Sequence, residues 1–146
     1  MLNNWKRLAV VVAAVLIPAV AAQAKDASAI MYKNPGCECC DGHAAALRRA
    51  GLAVKVVPTG TIAAVKEKAG VPAALQGCHT VLIAGYAVEG HVPVSAVKRL
   101  LAEKPSVAGI ALPGMPSGSP GMAGPKTGPF EVMSFGPAGT KLFAVE

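Results

Sequence analysis

Apolar positions divide the chain into a series of short elements. Runs of β-branched and aromatic residues predict strands, whereas apolar positions three or four residues apart predict helices. Glycine and proline stand between the runs and predict where the elements end. Strands are predicted over residues 29–33, 52–57, 80–84 and 86–92, helices over residues 41–50, 59–69 and 95–103, and a last hairpin over residues 130–135 and 141–145.

The order strand, helix, strand, helix, strand, strand, helix matches an α/β fold, a thioredoxin-like mixed sheet flanked by helices. A C-terminal loop rich in Gly, Pro and Met, followed by the hairpin, would be an addition to that fold. In such a sheet the third strand runs antiparallel to the first, so its start lies beside the end of the first strand. Strand direction therefore predicts that Cys78 and His79 face Cys37, Cys39 and Cys40. The fourth strand runs back and brings His91 to the same edge.

Residues 109–128 have turn chemistry throughout, with repeated glycine, proline and serine. The usual interpretation of such a segment is a flexible linker. Met115 and Met122 do not fit that interpretation, because each follows a glycine in a segment with no periodic apolar face to bury it. We therefore consider both methionines as candidate ligands or as a cover over a site.

The N-terminus has the pattern of an export signal. Lys6 and Arg7 precede an apolar stretch over residues 8–20, and Ala22-Gln23-Ala24 supplies small residues for cleavage after Ala24. The stretch is shorter than the roughly 20 residues that span a bilayer, although an uncleaved anchor is the alternative. The sequence predicts a signal peptide over residues 1–24, a single domain over residues 25–146, and a periplasmic location without a membrane anchor.

Charge argues against a nucleic-acid partner. The whole chain carries a net charge of +6, and removal of Lys6 and Arg7 with the signal leaves +6 − 2 = +4. These charges are spread along the chain, and no basic run has aromatic residues between its charges. About 120 residues remain after cleavage, which is enough for one domain with one core.

Three of the four cysteines, Cys37, Cys39 and Cys40, follow a Pro-Gly turn and lead into a predicted helix. A helix N-terminus lowers the pKa of a thiol and favours the thiolate that binds metals or attacks disulfides. The plain alternative is a structural disulfide with a spare thiol. Exported proteins do meet an oxidising compartment, but the tight spacing argues against two disulfides, since a bond between the neighbours Cys39 and Cys40 would be strained.

Thiolate and thioether sulfurs are soft ligands that select soft metals, above all Cu(I). The Cys-x-Cys-Cys spacing is too tight for three sulfurs to chelate one tetrahedral ion, so bridging sulfurs in a multinuclear copper–thiolate cluster fit better. His43 lies one turn after Cys40 and could lean toward the cluster or face water. Met31 and Met133 lie on strands and are assigned to the core.

Four motifs together resemble a bacterial family of exported metal-binding proteins, the CopG-like proteins, which are linked with copper resistance. The resemblance covers nearly the whole mature chain. The motifs are Tyr32-Lys33-Asn34-Pro35-Gly36-Cys37-Glu38-Cys39-Cys40, Gly77-Cys78-His79-Thr80, Val88-Glu89-Gly90-His91-Val92-Pro93, and the segment from Gly109 to Met122 with its Pro-Gly-Met steps.

The resemblance implies a thioredoxin-like fold, copper bound by the Cys-x-Cys-Cys motif, a role in periplasmic copper tolerance and a possible redox role between Cu(I) and Cu(II). Copper ions, and other periplasmic copper-handling proteins, are the implied partners. The family's motif carries over to a set of candidate metal ligands. They are Cys37, Cys39, Cys40, Cys78, His79, His91, Met115 and Met122.

The sequence thus predicts a copper-binding protein and leaves open whether it is also a copper oxidoreductase, with three further alternatives. A thiol–disulfide oxidoreductase suits thiols at a helix start, but the proline expected before the third strand is replaced by Cys78-His79-Thr80. An iron–sulfur electron carrier and a structural zinc protein are the other two.

Overall fold

The computed structural model describes residues 28–146, so the predicted signal peptide lies outside the described residues. Seven strands, three α-helices and one short 3-10 helix follow one another along this part of the chain. They are β1 (Ala29–Lys33), α1 (Glu38–Arg49), β2 (Val54–Pro58), α2 (Ile62–Lys68), the 3-10 helix Ala73–Leu75, β3 (His79–Ile83), β4 (Tyr86–Glu89), α3 (Val94–Glu103), β5 (Gly109–Ala111), β6 (Glu131–Phe135) and β7 (Lys141–Val145).

The seven strands form one mixed sheet in the order β2-β1-β3-β4-β5-β6-β7. The pairs β1–β2 and β4–β5 are parallel, and the other four pairs are antiparallel. The chain therefore has the predicted mixed α/β class, and the C-terminal hairpin extends the sheet at one side. None of the helices within residues 28–146 is long and apolar enough to cross a membrane.

The pairing of β1 with β3 and β4 determines where the candidate ligands lie. Lys33, the last residue of β1, pairs with His79, the first residue of β3. Thr80 in turn pairs with Glu89, the last residue of β4. The turn after β1, the start of β3 and the segment after β4 consequently meet at one edge of the sheet, as the strand directions predict.

Apolar side chains fill both faces of the sheet. Helices α1 and α3 cover one face, where Leu47 and Leu100 pack in a cluster with Met31 and Val81. On the other face Phe135 is buried in a second cluster. The remaining buried members of this second cluster are Val71, Leu75, Ala87 and Ala111. Met31 is fully buried and Met133 partly buried against the second cluster, which confirms their assignment to the core.

Several predicted bounds differ from the structure. Strand β4 ends at Glu89 instead of residue 92, so His91 follows the strand, and α2 is shorter than the predicted 59–69.

Two further differences change the interpretation. Residues 109–111 form strand β5, although the turn chemistry of residues 109–128 predicts no strand there. The strand has only three residues. Only glycine fits at position 109, because a Cβ there would lie 2.0 Å from the carbonyl oxygen of Ala87. Helix α1 begins at Glu38 instead of residue 41, so Cys39 and Cys40 belong to its first turn rather than to a loop.

Candidate metal centre

A short turn presents the cysteines from the end of β1. Gly36 has φ +74°, a left-handed conformation that glycine adopts without a steric cost. The buried Lys33 ammonium donates to the Cys37 carbonyl oxygen at 3.0 Å and to the Asp41 carboxylate at 2.6 Å. Lys33 therefore ties the strand end to both sides of the helix start and fixes the position of the cysteine turn.

The sulfur half of the site consists of Cys37, Cys39, Cys40 and Cys78, whose Sγ atoms all lie within 4.8 Å of one another. Cys37 is the N-cap of α1, and Cys39 and Cys40 lie in its first turn. The Cys39 Sγ lies 3.5 Å from the Cys37 Sγ, and the Cys40 Sγ lies 3.4 Å from the Cys78 Sγ. The predicted meeting of Cys78 with the cysteine turn is thus confirmed.

One feature of the sulfur half corrects the sequence prediction that all four cysteines are thiols. Cys37 and Cys40 are joined by a disulfide, and Cys39 and Cys78 are the free thiols. The early start of α1 explains the bond, because the N-cap and the third helical residue have their Cα atoms 5.5 Å apart, within the usual range for a disulfide. The spacing in the sequence had drawn attention to the strained neighbouring pair Cys39–Cys40 and not to Cys37–Cys40.

The imidazole half consists of His43 on α1, His79 at the start of β3 and His91 after β4, and all three side chains are fully buried. The His43 Nδ1 lies 2.7 Å from the His79 Nε2, and the His43 Nε2 lies 3.0 Å from the Val92 carbonyl oxygen. The His91 Nδ1 lies 2.8 Å from the Pro120 carbonyl oxygen.

These contacts determine which ring nitrogens carry protons. A carbonyl oxygen only accepts, so the His43 Nε2–H donates to Val92 and the His91 Nδ1–H donates to Pro120. Burial lowers the pKa of His43 to about 4 and that of His79 to about 2, so both rings are neutral near pH 7. The unprotonated His43 Nδ1 must then accept from the His79 Nε2–H, which leaves the His79 Nδ1 without a proton.

Both remaining imidazole lone pairs point at one sulfur atom. The Cys78 Sγ lies 3.3 Å from the His79 Nδ1 and 3.1 Å from the His91 Nε2. Burial also lowers the pKa of His91, so its ring is likewise held neutral. A single thiol hydrogen can satisfy only one of these two acceptors. Cys78 therefore joins the two halves of the site and leaves a surplus of lone pairs, an arrangement that suits a bound cation.

The charge around Cys78 depends on what occupies the site. Burial, with the neighbouring Cys39 thiol adding to it, raises the pKa of Cys78 to about 12, so the metal-free site holds Cys78 as a neutral thiol. A metal ion would replace the thiol proton, because the thiolate is the form that binds metals. In the metal-free site the Cys78 thiol and the two imidazoles that face it are thus neutral near pH 7.

A buried ion pair supports the strand ends behind the histidines. The Lys66 ammonium contacts the Glu89 carboxylate, and both side chains are almost fully buried. The same carboxylate accepts from the Thr80 hydroxyl at 2.6 Å and from the Gly77 N–H at 2.7 Å. Glu89 therefore holds the residues on either side of the Cys78-His79 pair, and no pattern in the sequence indicated this role.

The loop with the two methionines lies against the start of α1. A Cβ on Gly42 would come within 2.9 Å of the Gly121 Cα, so the two backbones approach closely only because both residues are glycine. Met122 follows Gly121 and is half-buried, whereas Met115 is 40% exposed. The segment thus packs on the start of α1 at Gly121, and Pro120 contributes the carbonyl oxygen that orients His91.

The structure brings six of the eight sequence-predicted ligands into one cluster, namely Cys37, Cys39, Cys40, Cys78, His79 and His91. His43, which from the sequence could lean toward the cluster or face water, is fully buried and contacts His79. The sequence contained one signal for this position: His43 comes three residues after Cys40, and residues three apart lie on the same face of a helix.

Fold and site together define a mixed α/β protein with a sulfur- and imidazole-lined candidate metal centre between one helix and the sheet edge. Residues 75–122 match the model of a family described as "Protein of unknown function, DUF411". The matched segment includes Cys78, His79, His91 and both loop methionines, and it begins after the cysteine turn. No curated protein is significantly similar to the chain.

Two solved structures resemble the whole described fold. Both are titled copper resistance protein CopG, Form 1 and Form 2, and each is 32% identical to the chain with a TM-score of 0.77. The similarity covers 84% of this chain and 98% and 99% of the two CopG chains. The chain therefore belongs to the CopG-like family of copper resistance proteins.

Proposed function

We propose that the protein binds Cu(I) through the thiolates of the reduced sulfur half and serves copper resistance in the periplasm. The observation that carries this proposal is the convergence of four cysteine sulfurs within 4.8 Å, with two imidazole lone pairs directed at one of them. Its copper-resistance role comes from the family, and its choice of Cu(I) comes from the softness of the donors.

The disulfide sets a condition on this function. The sulfurs of Cys37 and Cys40 carry no thiolate charge while they are bonded to each other, so they are poor copper ligands in that form. Two electrons and two protons from a thiol reductant convert the disulfide to two thiols, which with Cys39 and Cys78 makes four. In the disulfide-bonded structure the Cys37 and Cys39 sulfurs are already 3.5 Å apart, and the Cys40 and Cys78 sulfurs are 3.4 Å apart. Sulfurs this close suit bridging thiolates in a multinuclear cluster better than the binding of a single ion.

The histidines and the methionine loop have separate tasks in this proposal. His79 and His91 complete or orient the site through the nitrogens that face Cys78. Met122, and more remotely Met115, shield the copper or pass it to other periplasmic copper-handling proteins. A change between Cu(I) and Cu(II) during this handling is part of the same hypothesis. So is the assignment of the domain to the thioredoxin-like fold.

Cu(I) titration of the reduced protein against a competing chromogenic chelator tests the proposal. We expect binding of more than one Cu(I) per chain, and we expect the Cys37→Ser/Cys39→Ser/Cys40→Ser variant to lose most of it. Equal binding by the wild type and the triple variant would refute the function. Fractionation of cells that express the full chain tests the periplasmic location and the cleavage after Ala24.

A second candidate is a thiol–disulfide oxidoreductase, and one observation favours it. Cys37 and Cys40 form a disulfide across two residues at the N-terminus of α1, where the helix dipole stabilises a leaving thiolate. Insulin reduction by the metal-free protein would support this activity. If the metal-free protein does not reduce insulin but the reduced protein binds Cu(I) tightly, only the copper-binding function is supported.

A further inference from the structure

The disulfide-bonded protein still has two thiols and two imidazole nitrogens that can bind a metal ion. Cys39 and Cys78 are free thiols in this form, and their Sγ atoms lie within 4.8 Å of each other. The His79 Nδ1 and His91 Nε2 lone pairs face the Cys78 Sγ at 3.3 and 3.1 Å. None of these four groups takes part in the Cys37–Cys40 bond.

We propose that the disulfide-bonded form carries a separate mononuclear site for a divalent cation of borderline softness, formed by Cys39, Cys78, His79 and His91. Two thiolates and two neutral imidazoles are the donor set that holds tetrahedral zinc in proteins. The Cu(I) function proposed above needs the disulfide reduced. Oxidation of Cys37 and Cys40 would therefore replace the multinuclear Cu(I) site with a mononuclear site for a divalent ion. This inference shares residues with that function, yet it concerns the opposite redox state.

The distances from the Cys78 sulfur to the two imidazole nitrogens fit such an ion with little movement of the side chains. Around a tetrahedral centre with metal–sulfur and metal–nitrogen bonds of about 2.3 and 2.05 Å, sulfur and nitrogen are about 3.6 Å apart. The Cys78 Sγ lies 3.3 Å from the His79 Nδ1 and 3.1 Å from the His91 Nε2, so each nitrogen needs to move away from this sulfur by only a few tenths of an ångström. The Cys39 Sγ lies within 4.8 Å of the same sulfur.

The charge balance also favours a divalent ion. When M²⁺ replaces the thiol protons of Cys39 and Cys78, two protons leave and the filled site is electrically neutral. A neutral complex suits a site whose histidines are fully buried. The buried cation of Lys66 is already paired with Glu89, and that of Lys33 with Asp41, so neither needs a charge from the site.

His43 is a positioning residue for this site rather than a ligand. Both of its ring nitrogens are occupied, since Nε2–H donates to the Val92 carbonyl and Nδ1 accepts from the His79 Nε2–H. Through these two bonds a backbone carbonyl selects the His79 tautomer whose Nδ1 faces Cys78. Partners that orient a metal-binding histidine in this way typically contribute ten- to a hundredfold in metal affinity.

Cobalt(II) titration of the disulfide-bonded protein tests the site, because Co²⁺ reports four-coordinate thiolate ligation by its absorption and does not oxidise thiols. The protein is kept anaerobic and free of reductant, and peptide mass mapping verifies the Cys37–Cys40 bond. We expect one Co²⁺ per chain, a thiolate-to-cobalt charge-transfer band and two released protons. Absence of the charge-transfer band would overturn the proposal.

Three variants separate the parts of this site. Cys78→Ser should weaken Co²⁺ binding at least tenfold, whereas the reduced Cys37→Ser/Cys40→Ser variant should bind one Co²⁺ like the wild type, because its four donors are intact. Equal Co²⁺ affinity in Cys78→Ser and the wild type would contradict the assignment. These results are independent of whether the reduced wild type binds Cu(I), so each proposal can fail alone.

The role of His43 has its own readout. Nitrogen-15 NMR of the metal-free protein should find the Nε2–H tautomer for His43 and His79 and the Nδ1–H tautomer for His91. His43→Leu should lose roughly tenfold or more in Co²⁺ affinity, and His43→Gln, which can still donate and accept, should recover part of it. An Nδ1–H tautomer for wild-type His79 would overturn the assignment even if His43→Leu fails to fold.

Discussion

The sulfur half and the imidazole half of the site differ in how firmly the fold holds them. Three of the four sulfurs lie at the N-cap or in the first turn of α1, and Cys37 and Cys39 are only partly buried. All three imidazoles are fully buried, and two of them donate to backbone carbonyl oxygens. The sulfur half can change its bonding with redox state, whereas the imidazole half keeps one arrangement.

This difference shows how one site can combine adaptable ligands with fixed ones. The cysteines at the helix start form a disulfide in this structure, and in the proposed function their reduced form holds copper. The histidines supply directed lone pairs because the sheet edge and the methionine loop determine their tautomers. Cys78 belongs to both halves, since it lies 3.4 Å from the Cys40 sulfur and 3.1 Å from the His91 nitrogen.

The largest effect, on the free energy of unfolding, is expected from removing the buried Lys66–Glu89 ion pair behind the histidines. Glu89→Gln leaves the buried Lys66 ammonium without its counter-charge, which typically costs about 3 to 5 kcal/mol of unfolding free energy. Urea unfolding of the metal-free protein measures this loss. Glu103→Gln is the matched control, because the Arg99–Glu103 pair is half-exposed and typically contributes about 0.5 kcal/mol or less. Equal losses in the two variants would mean that the buried pair does not support the fold.

The next largest effect is expected at the residue that both halves share. Cys78→Ser removes the sulfur that faces two imidazole lone pairs, and we expect Cu(I) affinity of the reduced protein to fall roughly a hundredfold, about 3 kcal/mol. Chelator competition measures the affinity, and Cys39→Ser is the comparison that removes a sulfur from the helix turn alone. A smaller loss in Cys78→Ser than in Cys39→Ser would contradict the shared role of Cys78.

The imidazole half should also make stability depend on pH. In the unfolded chain these rings titrate near pH 6.5, whereas burial lowers the pKa of His43 to about 4 and that of His79 to about 2. Between pH 6.5 and 4 the unfolded chain binds protons that the folded chain does not, so the unfolding free energy falls as pH falls. Each such imidazole contributes about 1.4 kcal/mol per pH unit in that window.

His43→Gln checks this prediction by removing one of the three imidazoles. Urea unfolding of the metal-free protein at several pH values from 7 to 4 should give a shallower slope for the variant, by about 1.4 kcal/mol per pH unit. Identical slopes for wild type and variant would show that His43 titrates alike in the folded and unfolded states.

The smallest effects are expected in the methionine loop. Met122 is half-buried beside the start of α1, and Met115 is 40% exposed. We expect Met122→Leu to weaken Cu(I) binding by roughly two- to fivefold, less than about 1 kcal/mol, and Met115→Leu to change it less. Chelator competition distinguishes them, and a larger effect at Met115 would reverse the order of the two methionines.

The sequence predicts most of the fold because its elements carry strong local signals. The β-branched runs and the Pro-Gly turn locate β1 to β4, and antiparallel direction alone brings Cys78 to the cysteine turn. Strand β5 has three residues and merges with a glycine-rich segment, so its pairing with β4 and β6 is a tertiary effect without a local pattern.

The site is less predictable than the fold, because its details depend on burial and long-range contacts. The disulfide between Cys37 and Cys40 follows from a helix that begins three residues earlier than the pattern indicates. The ion pair of Lys66 and Glu89 joins residues 23 positions apart, and each residue alone reads as an ordinary surface charge. The position of His43 likewise depends on the carbonyl oxygen of Val92.

X-ray absorption spectroscopy of the reduced, Cu(I)-loaded protein tests most directly whether sulfur and imidazole donors serve one copper site. The account predicts a first shell of sulfur with imidazole nitrogen, and a loss of the nitrogen contribution in the His79→Gln/His91→Gln variant. A sulfur-only shell in the wild type, or copper that does not stay bound to the reduced protein, would contradict it.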